Sequence, residues 1–161
     1  MGKIIPMSRV KGVVASLRKK KKKIVTTNGV FDILHIGHIT YLQKARALGD
    51  VLIVGLNTDE SVRKLKGPKR PIVSEKARAF CLAALECVDY VVIFNDPTPI
   101  PLLSLIEPDF HVKGGDYRGK EVKIVEKDLI ERNGGKVVLL DLVRGYSTTK
   151  LIEKISDEYG K

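Results

Sequence analysis

Apolar and polar positions follow two alternating rhythms along this chain. Short runs of consecutive apolar or β-branched residues recur at 24–28, 50–57 (DVLIVGLN), 89–94 (DYVVIF), 110–112 and 136–140. Each is too short for a stable helix and apolar at successive positions, as expected of a strand covered on both faces of a parallel sheet. Between the runs, apolar residues return at three- and four-residue spacing. Ile36, Ile39, Leu42, Ala45 and Leu48 make one such stripe, and Gly49 closes it. Further helices are predicted at 8–20 behind a Ser8 cap, at 58–64, in SEKARAFCLAALE behind Ser74, and at 101–106 after a proline cluster. Two more are predicted at 121–132, stopped by Asn133-Gly134-Gly135, and from Ser147 onward.

Strands and helices therefore alternate from end to end. That order predicts an α/β fold: a Rossmann-like, doubly wound, five-stranded parallel sheet with helices on both faces. Residues 1–161 read as a single domain, with an N-terminal basic helix in 1–23 and a core over 24–157. Ligands of such sheets bind at the carboxyl ends of the strands, where the strand order reverses. Three polar loops follow strands, at 28–38, 113–119 and 141–149, and are expected to meet in one crevice.

Charge and cysteine content change this picture only a little. The formal net charge is +10, and half of it could reside in the lysine run at 19–23. The run reads either as a solvated helix end, where cations suit the dipole, or as an anionic-surface or nucleic-acid patch. No aromatic residues interleave with it. The two cysteines, Cys81 and Cys87, are six apart inside the predicted third helix. That spacing suits neither a metal site nor a disulfide, so both are expected as core or half-buried thiols in a reducing compartment. No stretch is long enough to span a bilayer and no apolar N-terminal core suggests a secretory signal, so a cytoplasmic protein is expected.

The first polar loop carries the chemistry. GVFDILHIGH places two of the chain's three histidines, His35 and His38, at i and i+3 where a strand should turn into a helix. The start of that helix favours an anion through its free N–H groups and dipole. Gly29 permits close backbone approach or an unusual dihedral, and Gly37 removes a side chain that would hold a ligand away. No third metal ligand is near, so the loop reads as a phosphate site with no metal. Ser147, Thr148 and Thr149 sit at another helix start, where hydroxyls and backbone together can bind phosphate oxygens.

HIGH preceded by G-x-F-D resembles the signature of the nucleotidyltransferase superfamily that includes the cytidylyltransferases. Class I aminoacyl-tRNA synthetases share HIGH, but they also need a KMSKS-like loop and a much longer chain. The small transferases carry a late R-x-x-G-I-S-T-T motif. Here it reads Arg144-Gly145-Tyr146-Ser147-Thr148-Thr149, shorter between Arg and Ser and with Tyr for Ile. Within the superfamily the chain is most similar to the bacterial D-glycero-β-D-manno-heptose 1-phosphate adenylyltransferases of ADP-heptose synthesis. TNGVFDILHIGHITYLQKARALGD, LNTDESVRKLKGPKRPI, HVKGGDY and YSTTKLIEKI carry that resemblance. KGGDY separates it from the glycerol-3-phosphate cytidylyltransferases, which have a G-D-D-W-like loop there.

The resemblance implies an enzyme that moves AMP from ATP to a heptose 1-phosphate and releases pyrophosphate. It implies catalytic roles for His35, His38, Lys66 and Arg78. It implies nucleotide contacts from Asn28, Gly29, Phe31, Asp32, Gly37, Gly114, Gly115, Asp116, Ser147, Thr148 and Thr149, with the N–H groups near Phe31 and His38 cradling phosphates. Asp32 would orient the loop or a histidine. Asp59, Lys64, Arg70 and Arg144 are weaker substrate-binding candidates. Mg²⁺ is expected with ATP, held mainly by phosphates. Relatives commonly dimerise, and a sugar kinase and phosphatase are expected as separate proteins. Two other readings remain open: a transferase of the same fold acting on glycerol 3-phosphate or another small phosphate acceptor, and a non-catalytic nucleotide or RNA binder.

Overall fold

The structure is a computed structural model that describes residues 1–114, 124–141, 143 and 145–160. Its elements are β1 (Lys3–Ile4), α1 (Val10–Lys19), β2 (Ile24–Gly29), α2 (Ile36–Arg46), β3 (Val51–Asn57), α3 (Asp59–Lys66) and α4 (Glu75–Ala84). There follow β4 (Tyr90–Phe94), α5 (Ile100–Ile106), β5 (Phe110–Gly114), α6 (Lys127–Arg132), β6 (Lys136–Leu140) and α7 (Thr148–Tyr159). The strands form one sheet in the order β1-β4-β3-β2-β5-β6, and every pairing is parallel.

Burial explains the strand sequences. All seven residues of β3 are buried, so its side chains serve both faces in turn. Leu52, Val54 and Leu56 join Val25, Val91 and Val112 under α2 and α4. Val51 and Ile53 join Ile24, Val92 and Phe94 on the other face, beneath α1 and α5. An unbroken apolar run is what a strand needs when neither face meets water. The chain winds from β2 outward to β4, then crosses back to lay β5 on the other side of β2. The reversal point therefore lies between β2 and β5, and the loops after these strands open into a crevice there.

The strands' entry ends are fastened by three aspartates. Asp50 accepts the Lys23 N–H (2.8 Å), Asp89 the Leu52 N–H (2.8 Å) and Asp109 the Ile24 N–H (2.7 Å). Each satisfies a backbone donor that a strand end would otherwise leave bare.

Several expectations change. The sheet has six strands, not five, because Lys3–Ile4 adds an edge strand to Tyr90 and Val91 of β4. Two exposed residues give no periodicity to read. The segment 1–23 is therefore more than a basic helix: it contributes a strand, and Val10 is wholly buried. A 3₁₀ turn at Met7–Arg9 precedes α1, and Ser8 makes no cap. Ser74 stands before α4 without a side-chain cap bond. That helix ends at Ala84, so Cys87 lies beyond it; Cys87 is half-buried, but Cys81 is exposed and not a core thiol. The helix predicted over 121–132 is helical at Lys127–Arg132, and 124–126 lie before it; 121–123 fall outside the described residues. No helix among the described residues is long and apolar enough to cross a membrane.

One buried group sets an acid limit on this fold. His111 on β5 has no exposed surface, and its Nδ1 lies 2.8 Å from the Thr26 hydroxyl. Burial, with Lys113 nearby, lowers its pKa to about 3. The unfolded chain takes a proton at this ring near pH 6.5, and the folded chain resists it. The stability gained by keeping His111 neutral is full above pH 6.5 and declines as pH falls toward 3. Urea midpoints measured between pH 7 and pH 4 should fall, and His111→Gln should flatten that dependence. An equal slope in the variant would show that other groups govern the acid limit.

Candidate active site

The loop after β2 and the start of α2 build the centre of the crevice. His35 is the N-cap of α2, in extended backbone, and His38 sits one turn in. The i, i+3 spacing stacks the two imidazoles, with ring centroids 3.9 Å apart and planes 22° from parallel. Phe31 meets His38 edge-on, with centroids 5.4 Å apart. Phe31 also has φ +46°, an uncommon left-handed conformation for a bulky residue, as found where a site constrains the chain.

Two glycines are required by this arrangement. A Cβ on Gly37 would lie 3.0 Å from two atoms of the His35 ring, so a side chain would push the imidazole from its partner. A Cβ on Gly29 would lie 3.0 Å from the Phe31 ring. Close approach of neighbouring rings, not an unusual dihedral, selects glycine at both positions.

Electrostatically both imidazoles are held toward the neutral form. Burial, then the adjacent His35, pushes His38 down to about 4, against a hydrogen bond to the Ile33 backbone. Burial also lowers His35. Among the described residues, the Nδ1 atoms of both rings are buried without a well-formed hydrogen bond. Such atoms carry a desolvation cost that a ligand removes by bonding to them. The His38 N–H is already given to the His35 carbonyl (2.9 Å), so the expected phosphate contact at His38 falls to its side chain.

Around this pair opens a cleft of about 530 Å³. Asn28, Gly29, Phe31, Asp32, Gly37, Lys66, Arg70 and Gly114 line it, and Ser147, Thr148 and Thr149 face them from the start of α7. With His35 and His38, thirteen of the candidate residues line this one space. Ser147 also accepts the Lys150 N–H (3.1 Å) and caps α7, so one hydroxyl fixes the helix start that it presents. Gly115, Asp116 and Arg144 lie outside the described residues.

Asp32 organises the basic wall of the cleft. Its carboxylate accepts Arg70 Nε (2.7 Å) and the N–H groups of Ile72 (2.9 Å) and Val73 (2.8 Å). Burial works to raise its pKa, but the bonds from Val73, Ile72 and Arg70 overcome that and hold it below the usual carboxylate range. It holds the 70–73 loop, not the histidine-bearing loop it was expected to orient, and touches neither histidine in these contacts.

Three expected ligand-binding residues are elsewhere. Arg78 is 1% exposed, and all three guanidinium nitrogens are engaged. Nε donates to the Val73 carbonyl (2.9 Å), one terminal nitrogen to Val30 (2.6 Å), and the other to Asn57 (2.9 Å) and Asp59 (2.7 Å). It braces loops behind the cleft wall, so a direct phosphate contact is not its position here. Asp59 is its partner and does not line the cleft. Lys64 is exposed and paired with Glu60 (2.6 Å) one turn earlier.

Sequence reasoning passed over Lys113, Tyr41 and Tyr146, which also line the cleft. Lys113 is 7% exposed, and its Nζ bonds Asn28 Oδ1 (2.8 Å) and Glu126 Oε1 (2.7 Å), joining β5 to β2 at the reversal point. A lysine closing an apolar strand run was a readable signal; its partner Glu126, far along the chain, was not. Tyr41 lies one turn after His38 on the same face of α2, and its hydroxyl donates to the Val112 carbonyl (2.8 Å).

Comparison with known proteins agrees with this geometry. A family model described as cytidylyltransferase-like matches residues 26–154. The chain is 57% identical over 142 residues to the bifunctional protein HldE of Syntrophotalea carbinolica, covering 88% of this chain and 29% of that one. It is 53% identical over 153 residues to HldE of Helicobacter pylori, covering 95% and 31%. The chain thus spans under a third of the length of these curated relatives. A lipopolysaccharide core biosynthesis protein of Thermoplasma volcanium superposes with a TM-score of 0.63 at 29% identity, over 78% of this chain and 99% of that one.

Removing Arg78 leaves Asp59 and three carbonyls without their donor. Breaking a buried ion pair from one side costs about 3–5 kcal/mol. Arg78→Ala should lose stability of that order in urea unfolding followed by circular dichroism. Unchanged stability with lost ligand binding would instead return Arg78 to a direct contact.

Proposed function

This chain belongs to the cytidylyltransferase-like family, and on that premise we propose that it is a nucleotidyltransferase that moves AMP from ATP to a heptose 1-phosphate, giving ADP-heptose and pyrophosphate. The observation that carries this reading is the stacked His35–His38 pair facing Ser147 and Thr148 across one cleft. Two sets of candidate phosphate-binding groups, on two helix starts that line one cleft, suit a polyphosphate bound there. The similarity to HldE proteins of Syntrophotalea carbinolica and Helicobacter pylori supports the heptose acceptor.

In this mechanism an oxygen of the acceptor phosphate attacks the α-phosphorus of ATP in line. The new P–O bond forms as the bond to the β-phosphate bridge oxygen breaks, and its electron pair leaves with pyrophosphate. The acceptor is already an anion, so no general base is needed. Catalysis then rests on holding two polyanions together and stabilising charge that grows at the α- and β-phosphates. His35 and His38 hydrogen-bond the α-phosphate region. Lys66 and Arg70 offset the charge from the opposite wall. Ser147, Thr148 and the first N–H groups of α7 receive the distal phosphates. Gly114 leaves room for the nucleoside at the β5 end.

Asp32 is the one carboxylate among the described residues lining the cleft, and both its oxygens are engaged. Those residues offer Mg²⁺ no vacant carboxylate, and in this reading the ion enters on the phosphates of ATP as part of the substrate. ATP, a sugar phosphate and reduced thiols together favour a cytoplasmic setting.

Loss of one preorganised donor of this kind costs on the order of 10²–10³ in turnover. His38→Ala should show that loss in a pyrophosphate-release assay while its urea midpoint stays near wild type. Near-wild-type turnover would remove the histidine pair from the chemistry. The same assay, run with ATP or CTP against heptose 1-phosphate and glycerol 3-phosphate, tests the substrates. Activity with CTP alone would sink the adenylyltransferase assignment.

A further inference from the structure

The lysine run at 19–23 has no role in the reaction above, and the fold shows why. Lys19 ends α1, and Lys23 directly precedes β2, so the run lies at the entry ends of the strands. The catalytic cleft lies at their exit ends, where Asn28 and Gly29 close β2. The six residues of β2, at about 3.3 Å each, put roughly 20 Å between the two. No substrate in the cleft can use these charges at contact distance.

Nor does the protein neutralise them. The three aspartates of this end are committed inward, each to a backbone N–H and a cation: Asp109 with Arg18 (2.6 Å), Asp89 with Arg46 (3.0 Å) and Asp50 with Lys22 (3.6 Å). Lys19, Lys20, Lys21 and Lys23 are exposed and, among the described residues, make no side-chain ion pair or hydrogen bond. Lys136 at the start of β6 is exposed in the same way, two strands along from β2 and so about 10 Å distant. Glu86 and Glu107, which follow α4 and α5, are exposed carboxylates of this end that make no ion pair among the described residues. Five free lysines against two free glutamates leave a strongly positive pole.

We propose that this pole is a docking surface for an anionic phospholipid bilayer, seating the protein with its cleft turned away from the membrane. The chemistry favours headgroups over other polyanions. The charges are lysine ammonium groups, point charges that contact lipid phosphates without a demand for planar geometry. No aromatic side chain interleaves with the run and its one arginine, Arg18, is committed to Asp109, so stacking and bidentate contacts to nucleic acid are lacking. Each lysine near an anionic leaflet contributes about fivefold to partitioning.

The test is sedimentation with vesicles of mixed phosphatidylglycerol and phosphatidylcholine, at physiological ionic strength, against pure phosphatidylcholine. The wild-type chain should sediment with the mixed vesicles alone. Replacing Lys19, Lys20 and Lys21 by Gln should weaken this about a hundredfold and leave nucleotidyl transfer in solution unchanged. The same loss of charge at Lys76, Lys127 and Lys154 should weaken it severalfold at most. Equal losses in the two triple variants would reduce the effect to net charge and overturn the proposal. Absence of binding to mixed vesicles would overturn it too. So would RNA binding that depends on Lys19–21 and exceeds vesicle binding, which would make the pole a polynucleotide surface.

Discussion

The buried guanidinium of Arg78 holds the rim of this site in register. It is a cation almost without water, tolerable only because three carbonyls and Asp59 surround it. Those carbonyls belong to Val30 after β2, Asn57 at the end of β3 and Val73 before α4. One side chain thus ties the exits of two neighbouring strands to the loop that brings Arg70 into the cleft. Asp32 completes the tie from the opposite side by gripping Arg70, Ile72 and Val73. Rigid loops are what the proposed phosphoryl chemistry requires, because its catalysis is mostly positioning.

The histidine pair depends on that frame. Two imidazoles 3.9 Å apart resist protonation together, and burial adds to the resistance. The cleft therefore sets rings that favour the neutral form beside Lys66 and Arg70. In the proposed reaction an incoming polyphosphate would supply the negative charge that all of them lack. Gly37 and Gly29 matter because they leave space for rings, and the left-handed Phe31 turns the chain tightly enough to seat its ring against His38.

The two ends of the sheet divide the labour. At the exit ends, side chains are aimed into a cleft and bonded to loops. At the entry ends, three aspartates fasten the strands and are committed there, which leaves Lys19, Lys20, Lys21 and Lys23 exposed and, among the described residues, unpaired. A parallel sheet makes this separation natural, since all of its strands point the same way.

Much of this was legible in the residues alone. Unbroken apolar runs such as VLIVGL specify buried parallel strands, since no amphipathic strand would carry them. HIGH after a strand run specifies an anion-binding turn, because the chemistry depends on local spacing, i and i+3, at a helix start. Contacts between distant segments were another matter. Arg78 was expected at the chemistry because the family resemblance implied it; only folding showed that Val30, Asn57 and Asp59 surround it. Lys113 needed Glu126 and Asn28 to gain meaning, and the edge strand at Lys3–Ile4 exists only because β4 offers an open edge. Local pattern determined the elements and the anion site. Which charges face the ligand and which lock the frame was decided by tertiary packing, because burial and partner choice are properties of the folded chain.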